Sequence, residues 1–180
     1  MINKYLVIIG PSGVGKSTMV QELSKQGVLV VWPTYTTRPA RPDEKAAIEH
    51  VFINKQQFAD KKADGFFVST VELFGLPYEY GLPRKQPKAN GKVTCVMLRA
   101  PVIEQFAKHF NNFVIYQIEA DMNSVSERLQ KREQEMGNRL KNYQQELKLG
   151  RKLAARVFIN DSDVNALTRQ VKLAIVADFS

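Results

Sequence analysis

Apolar residues occur in short, nearly unbroken runs, separated by stretches with helical spacing. Lys4 to Ile9, Gly27 to Trp32, Phe66 to Val71, Val93 to Leu98, Phe113 to Ile118 and Val157 to Ile159 each read as a strand, and the continuous apolar character of Lys4 to Ile9 and Val93 to Leu98 predicts that those two are buried. Met19, Val20 and Leu23 follow the first run at helical spacing, and Val164, Leu167, Val171 and Ile175 share one face of a closing helix. Asn54 with Gln57 and Phe58 predicts a capped helix that Gly65 ends. Ser124 with Glu127 gives a capping signature ahead of a charged helical region, Val125 to Leu153, in which Gly137 reads as a hinge. Pro33 marks the exit from the second strand, and Pro101 suits the first turn of a helix running to about His109. The segment after Pro33, and the Gly-, Pro- and Tyr-rich stretch from Glu72 to Pro87, read as irregular.

Strands alternating with helices predict an α/β fold with a parallel sheet of roughly five strands and helices on both faces. The rhythm breaks between Thr34 and Tyr80, where consecutive strand-like pieces suggest an inserted lobe. The expected organisation is one domain over residues 1 to 180, with a core of about 1–33 and 92–180 and a small lobe of about 34–91.

Composition narrows the class without choosing a function. A hydrophobic fraction of 44% and a charged fraction of 24% are ordinary for a packed globular protein. The longest apolar runs fall far short of a bilayer span and no secretory signal is seen, so no membrane partner and a cytoplasmic location are expected. Cys95, the lone cysteine, sits in an apolar run and reads as a buried strand residue. A net charge of +8 favours anionic partners such as nucleotides, phosphorylated metabolites or nucleic acid. The lack of an aromatic-rich basic stripe points away from nucleic acid.

One motif is specific. Gly10-Pro11-Ser12-Gly13-Val14-Gly15-Lys16-Ser17 matches the P-loop pattern and falls between an expected strand and an expected helix, as that motif requires. Its glycines let backbone N–H groups turn inward around phosphate, and the helix N-terminus adds a favourable dipole. The predicted cradle comprises these residues and Thr18, with Lys16 on the β and γ phosphates of ATP and Ser17 on Mg²⁺. Downstream, Thr34-Tyr35-Thr36-Thr37-Arg38-Pro39-Ala40-Arg41-Pro42-Asp43-Glu44 sets two arginines among hydroxyls, read equally as a phosphate clamp or an exposed basic loop.

At this point the sequence resembles the guanylate kinase family. The P-loop and the Thr36-to-Glu44 block follow that family's order and spacing. The likeness continues through Phe52, Phe58, Gly65-Phe66-Phe67, Tyr80-Gly81, Arg128-Leu129 with Arg132, Arg139-Leu140 with Glu146, and Asn160-Asp161. It implies a P-loop NTPase core, a lobe that binds a nucleoside monophosphate, and a helical lid of about 128–146 that closes over ATP. By position, Arg38 and Arg41 would hold the acceptor phosphate, with Thr34, Tyr80 and, in place of the family's usual tyrosine, His50 beside it. Arg128, Arg132 and Arg139 would surround the transferred phosphoryl group, and Asn160 would lie near the adenine ring.

Two departures bear on the acceptor. The family places a guanine-reading glutamate and a hydroxyl where this chain has Ser69 and Leu82, so that Glu72 or Glu79 would substitute only from a rearranged loop. The acidic pair expected on the strand after the lobe is replaced by Val96-Met97-Leu98-Arg99, which makes Arg99 a reader of anions or a solvent-facing strand end. His50, Ser69 and the missing acidic pair also resemble ribose 1,5-bisphosphate phosphokinases. The expected function is therefore an ATP- and Mg²⁺-dependent kinase. GMP or dGMP is the first acceptor, a sugar phosphate the alternative, and a non-catalytic binding module the more distant one.

Overall fold

The structure, a computed structural model, describes residues 4–41, 44, 48–73, 75–121, 125, 136–161 and 163–180, and the side chains of 136–142 lie outside that description. Strand β1 (Tyr5–Ile9) leads through the P-loop into α1 (Lys16–Lys25) and then β2 (Leu29–Val31). Next come β3 (Thr34–Thr36), β4 (His50–Phe52), α2 (Lys55–Ala63), β5 (Phe67–Glu72) and β6 (Glu79–Pro83). The chain continues through β7 (Val93–Met97), a single 3₁₀ turn (Ala100–Val102), α3 (Ile103–Ala107) and β8 (Phe113–Ala120). It closes with α4 (Met136–Leu153), β9 (Arg156–Asn160) and α5 (Val164–Phe179).

Among the described residues two sheets form. The first is a five-stranded sheet in the order β2-β7-β1-β8-β9, with every neighbouring pair parallel. Strand β1 lies at its centre and is buried along its whole length, as its unbroken apolar run requires. Its alternate residues feed two cores. Leu6 and Ile8 pack with Met19, Val20 and Leu23 of α1 and Leu167 and Val171 of α5, while Tyr5, Val7 and Ile9 pack with Trp32, Ile103 and Phe106 on the other face.

The second sheet has the order β4-β3-β6-β5 and is drawn wholly from residues 34 to 83. Helix α2 covers one face of it, with Phe58 stacked on Phe67 at 4.7 Å between ring centroids. Asn54 and Gln57 form the expected capping box at the start of α2.

Two expectations are corrected here. The segment after Pro33 is not irregular, since β3 forms there, and the stretch from Glu72 to Pro87 contains β6. Both are short and draw their order from partners distant in sequence. Tyr35 pairs with Gly81, and a Cβ on Gly81 would stand 2.7 Å from the Phe67 ring, so the glycine that suggested a loop is the residue that lets β6 lie against that ring. Gly137 is the second residue of α4, and the segment before Met136 on which its reading as a hinge depends lies outside the described residues. The capping pair Ser124 and Glu127 lies outside the described residues.

Candidate functional site

The P-loop leaves the C-terminal end of the central strand, where open parallel sheets place their ligands. Gly10, Gly13 and Gly15 have φ of 140°, 86° and 97°, all in the left-handed region. Gly10 is also pressed against backbone, since a Cβ there would meet the Ile118 carbonyl oxygen at 2.2 Å. Among the described residues no side chain caps α1, so the N-terminal N–H groups of the helix are open to a ligand.

Lys16 is 8% exposed, and its Nζ donates to the carbonyls of Gly10 and Pro11, each at 2.7 Å. Burial pushes its pKa down to about 8, the Arg99 guanidinium adds to that, and Glu49 and Glu146 oppose it. The Ser17 hydroxyl donates to Glu49 Oε2 at 2.5 Å. Asn160, at the end of β9, is buried under the loop, with Nδ2 donating to the Val14 carbonyl at 2.9 Å and Oδ1 without a hydrogen-bond partner among the described residues. Gly15 leaves room for that amide, which would otherwise sit 2.4 Å from a Cβ. Arg99 donates through Nη1 to the Ser12 hydroxyl at 2.9 Å and through Nε to Glu146 Oε1 at 2.6 Å. The residue that stands in place of the family's acidic strand end thus bridges the P-loop to α4.

The second sheet supplies a face of different character. Cross-strand pairing sets His50, Thr34, Thr36, Tyr80 and Ser69 on one side of it, together with Phe52, Val71 and Leu82. The Thr34 hydroxyl and His50 Nδ1 are 2.7 Å apart, and burial holds the His50 imidazole below its usual pKa and therefore neutral at pH 7. Arg38 is 6% exposed and lies 5.3 Å from the centroid of the Phe52 ring. Its guanidinium donates to both carboxylate oxygens of Glu44 and interacts with the Tyr80 phenol. Arg41 meets the same carboxylate, through its backbone N–H at 2.9 Å and Nη1 at 3.2 Å.

The structure therefore gathers Thr34, Arg38, Arg41, His50 and Tyr80 into one cluster. Ser69 lies further along the same face, opposite Leu82, whose side chain is buried in the core beside Trp32. Glu72 does not join them. It pairs with Glu79, one residue out of phase with Tyr80, so the pleat turns both glutamates to the other side of the sheet, and Glu72 is exposed there. Arg128 and Arg132 lie outside the described residues, and Arg139 is placed only as a position in α4.

Three carboxylates to which sequence reasoning gave no role hold this site together: Glu44 between the two arginines, Glu49 on Ser17, and Glu146 on Arg99. Glu44 had a readable signal, three residues after Arg41. Glu49 had none, because its partner Ser17 lies 32 residues away. The donors fit a magnesium nucleotide: an uncapped helix start, left-handed glycines, a buried ammonium on carbonyls alone, and a hydroxyl and carboxylate side by side. Among the described residues no group of three or more His, Cys, Asp or Glu is placed to hold a metal, so phosphate oxygens and water would supply the remaining ligands.

Comparison with known proteins is consistent with this layout. The family model described as guanylate kinase matches residues 2–178. Over 93 residues the chain is 37% identical to a guanylate kinase of Thermosynechococcus vestitus, which covers 49% of this chain and 48% of that protein. Over 139 residues it is 28% identical to a guanylate kinase of Legionella pneumophila, covering 76% of this chain and 66% of that protein. The chain spans about half the length of the first of these relatives and 66% of the second. The crystal structure of guanylate kinase from Anaplasma phagocytophilum superposes with a TM-score of 0.76 at 22% identity, over 98% of this chain and 86% of that one.

Proposed function

The chain belongs to the guanylate kinase family, and from that premise we propose that it transfers the γ-phosphoryl group of ATP, as its Mg²⁺ complex, to a nucleoside monophosphate, with GMP and dGMP the first acceptors. The observation that carries this is the direct contact between the two halves of the site: Ser17 of the phosphate cradle touches Glu49, the residue next to His50 in the acceptor cluster. A donor site and an acceptor site that meet at one hydrogen bond are set out for direct transfer between two phosphates.

In this reading the inward N–H groups of the P-loop bind the donor phosphates, and Lys16 exchanges its two carbonyl partners for phosphate oxygens. Magnesium supplies Lewis-acid neutralisation of the β and γ oxygens when it is bound, with Ser17 among its ligands. Arg38, Arg41 and Tyr80 hold the acceptor phosphate, and the neutral His50 with Thr34 offers it uncharged hydrogen bonds. Residues 34–91 act as the acceptor lobe. The lid expected from the resemblance over residues 128–146 would bring Arg132 and Arg139 to the moving phosphoryl group to stabilise its charge and exclude water. No helix among the described residues is long and apolar enough to cross a membrane.

The test is ADP formation from Mg-ATP with GMP, dGMP, AMP, CMP, UMP, dTMP and ribose 1,5-bisphosphate, beside an acceptor-free control. Turnover with GMP or dGMP is expected, and loss of it in Lys16→Ala. Turnover with the sugar bisphosphate alone would replace the nucleotide acceptor by a base-free one.

A further inference from the structure

Acceptor binding accounts for Arg38, Arg41 and Tyr80, but not for the carboxylate that faces Ser17. Glu49 stands just before β4, and its backbone is fixed to the acceptor sheet, because the Thr34 N–H donates to the Glu49 carbonyl at 3.1 Å. Its side chain, a quarter exposed, leaves that sheet and reaches the phosphate cradle. There Oε2 accepts the Ser17 hydroxyl, while Oε1 lies 3.5 Å from His50 Nε2.

In P-loop proteins Mg²⁺ is held by the hydroxyl at the Ser17 position and by an aspartate carried on a strand of the same sheet. Neither strand beside β1 offers such a group here. Strand β7 ends in Met97 and Leu98 and is followed by Arg99, which is committed to Ser12 and Glu146. On β8, Glu119 is engaged by Arg151 through Nε at 2.7 Å and Nη2 at 2.5 Å. Glu49 is thus the carboxylate that reaches Ser17 among the described residues. Its direction of approach is also right. With the Ser17 proton turned toward Glu49, the lone pairs of that hydroxyl face away from the carboxylate and are available to a cation.

We propose that Glu49 is the Mg²⁺ carboxylate of this protein, supplied by the acceptor sheet rather than by the P-loop sheet, and that it holds the ion together with Ser17. The inference rests on the kinase reading for the identity of the phosphate donor. It adds that metal and acceptor are held by consecutive residues, Glu49 and His50, whose side chains lie 3.5 Å apart. Mg²⁺ is a hard cation that accepts one or two carboxylate or hydroxyl oxygens beside phosphate and water, which is the set this arrangement provides.

The experiment is a Mn²⁺ titration followed by electron paramagnetic resonance on the intact protein with the ATP analogue AMP-PNP. It compares wild type, Glu49→Gln and, as a control on the opposite face of the acceptor sheet, Glu72→Gln. AMP-PNP binding in EDTA is measured separately by calorimetry. Glu49→Gln should weaken Mn²⁺ binding by about 10- to 100-fold, with metal-free nucleotide binding retained and Glu72→Gln behaving as wild type. Wild-type Mn²⁺ affinity in Glu49→Gln would overturn the proposal.

If Glu49→Gln does not fold, Glu49→Asp keeps the charge but withdraws it by one methylene, and it is read the same way: weaker Mn²⁺ binding supports the proposal and equal affinity overturns it. A wild type whose Mn²⁺ binding depends on Glu49 but which phosphorylates none of the acceptor panel keeps this inference and overturns the kinase reading. Turnover of GMP with Glu49-independent metal binding does the reverse.

Discussion

Arg38 faces Glu44 with both terminal nitrogens, Nη1 to Oε2 at 2.8 Å and Nη2 to Oε1 at 2.7 Å, and the same carboxylate also receives Arg41. Two guanidinium groups are thereby held close together against their mutual repulsion, before any acceptor arrives. Glu44→Gln should release them and raise KM for the acceptor by about tenfold, the loss of one charge-assisted pair. The KM for ATP should be unchanged. Steady-state kinetics varying each substrate in turn would show it, and an equal rise in both constants would mean that Glu44 serves the whole site.

The depressed pKa of Lys16 gives a pH signature. In the folded chain it lies at about 8, against 10.5 for an unperturbed lysine. Between those values the unfolded chain binds more protons, so this group's contribution to stability rises with pH through that window. Phosphate affinity moves the opposite way, because a neutral amine is left in the cradle. ATP binding near pH 8.5 should therefore take up protons, detectable by calorimetry in buffers of differing ionisation enthalpy, and the uptake should vanish at pH 6.5. Proton-independent binding at both pH values would contradict this account.

Gly10→Ala should be costly, because the added methyl meets the Ile118 carbonyl at 2.2 Å and the backbone has no side-chain freedom with which to yield. Overpacking of about 2 kcal/mol corresponds to a fall in Tm of about 4–8 °C for a domain of this size. Gly91 also has positive φ but faces open space, so Gly91→Ala isolates the backbone strain. Its Tm should fall less. Equal losses in the two variants would remove the steric argument.

Cys95 lies at 0% exposure in the central sheet, and burial drives its thiol pKa far above the normal range. Treatment of the native protein with a thiol-specific disulfide reagent should release no chromophore, whereas the same protein in guanidinium chloride should release one equivalent per chain. Rapid reaction under native conditions would mean that β7 opens without global unfolding.

The sequence made the central sheet legible because each of its strands announces itself. Tyr5 to Ile9 is apolar at every position, and such a run is readable without knowing its neighbours. The acceptor sheet was less legible because β3 and β4 are three residues long, too short for a period to register, and β6 contains a glycine and ends in a proline. The same contrast holds in the site. The P-loop is contiguous and was read whole. Glu49 and Arg99 take their surroundings from Ser17, Ser12 and Glu146, at sequence separations of 32, 87 and 47 residues, and no local spacing encodes those meetings.

Asn160 lies 146 residues from Val14, whose carbonyl it holds. One support of the phosphate cradle thus belongs to a strand far downstream of it, and the loop is braced only once β9 has joined the sheet beside β8. A fragment cut before β9 would carry the complete P-loop sequence without the amide that braces it, and it should bind nucleotide more weakly than the intact chain.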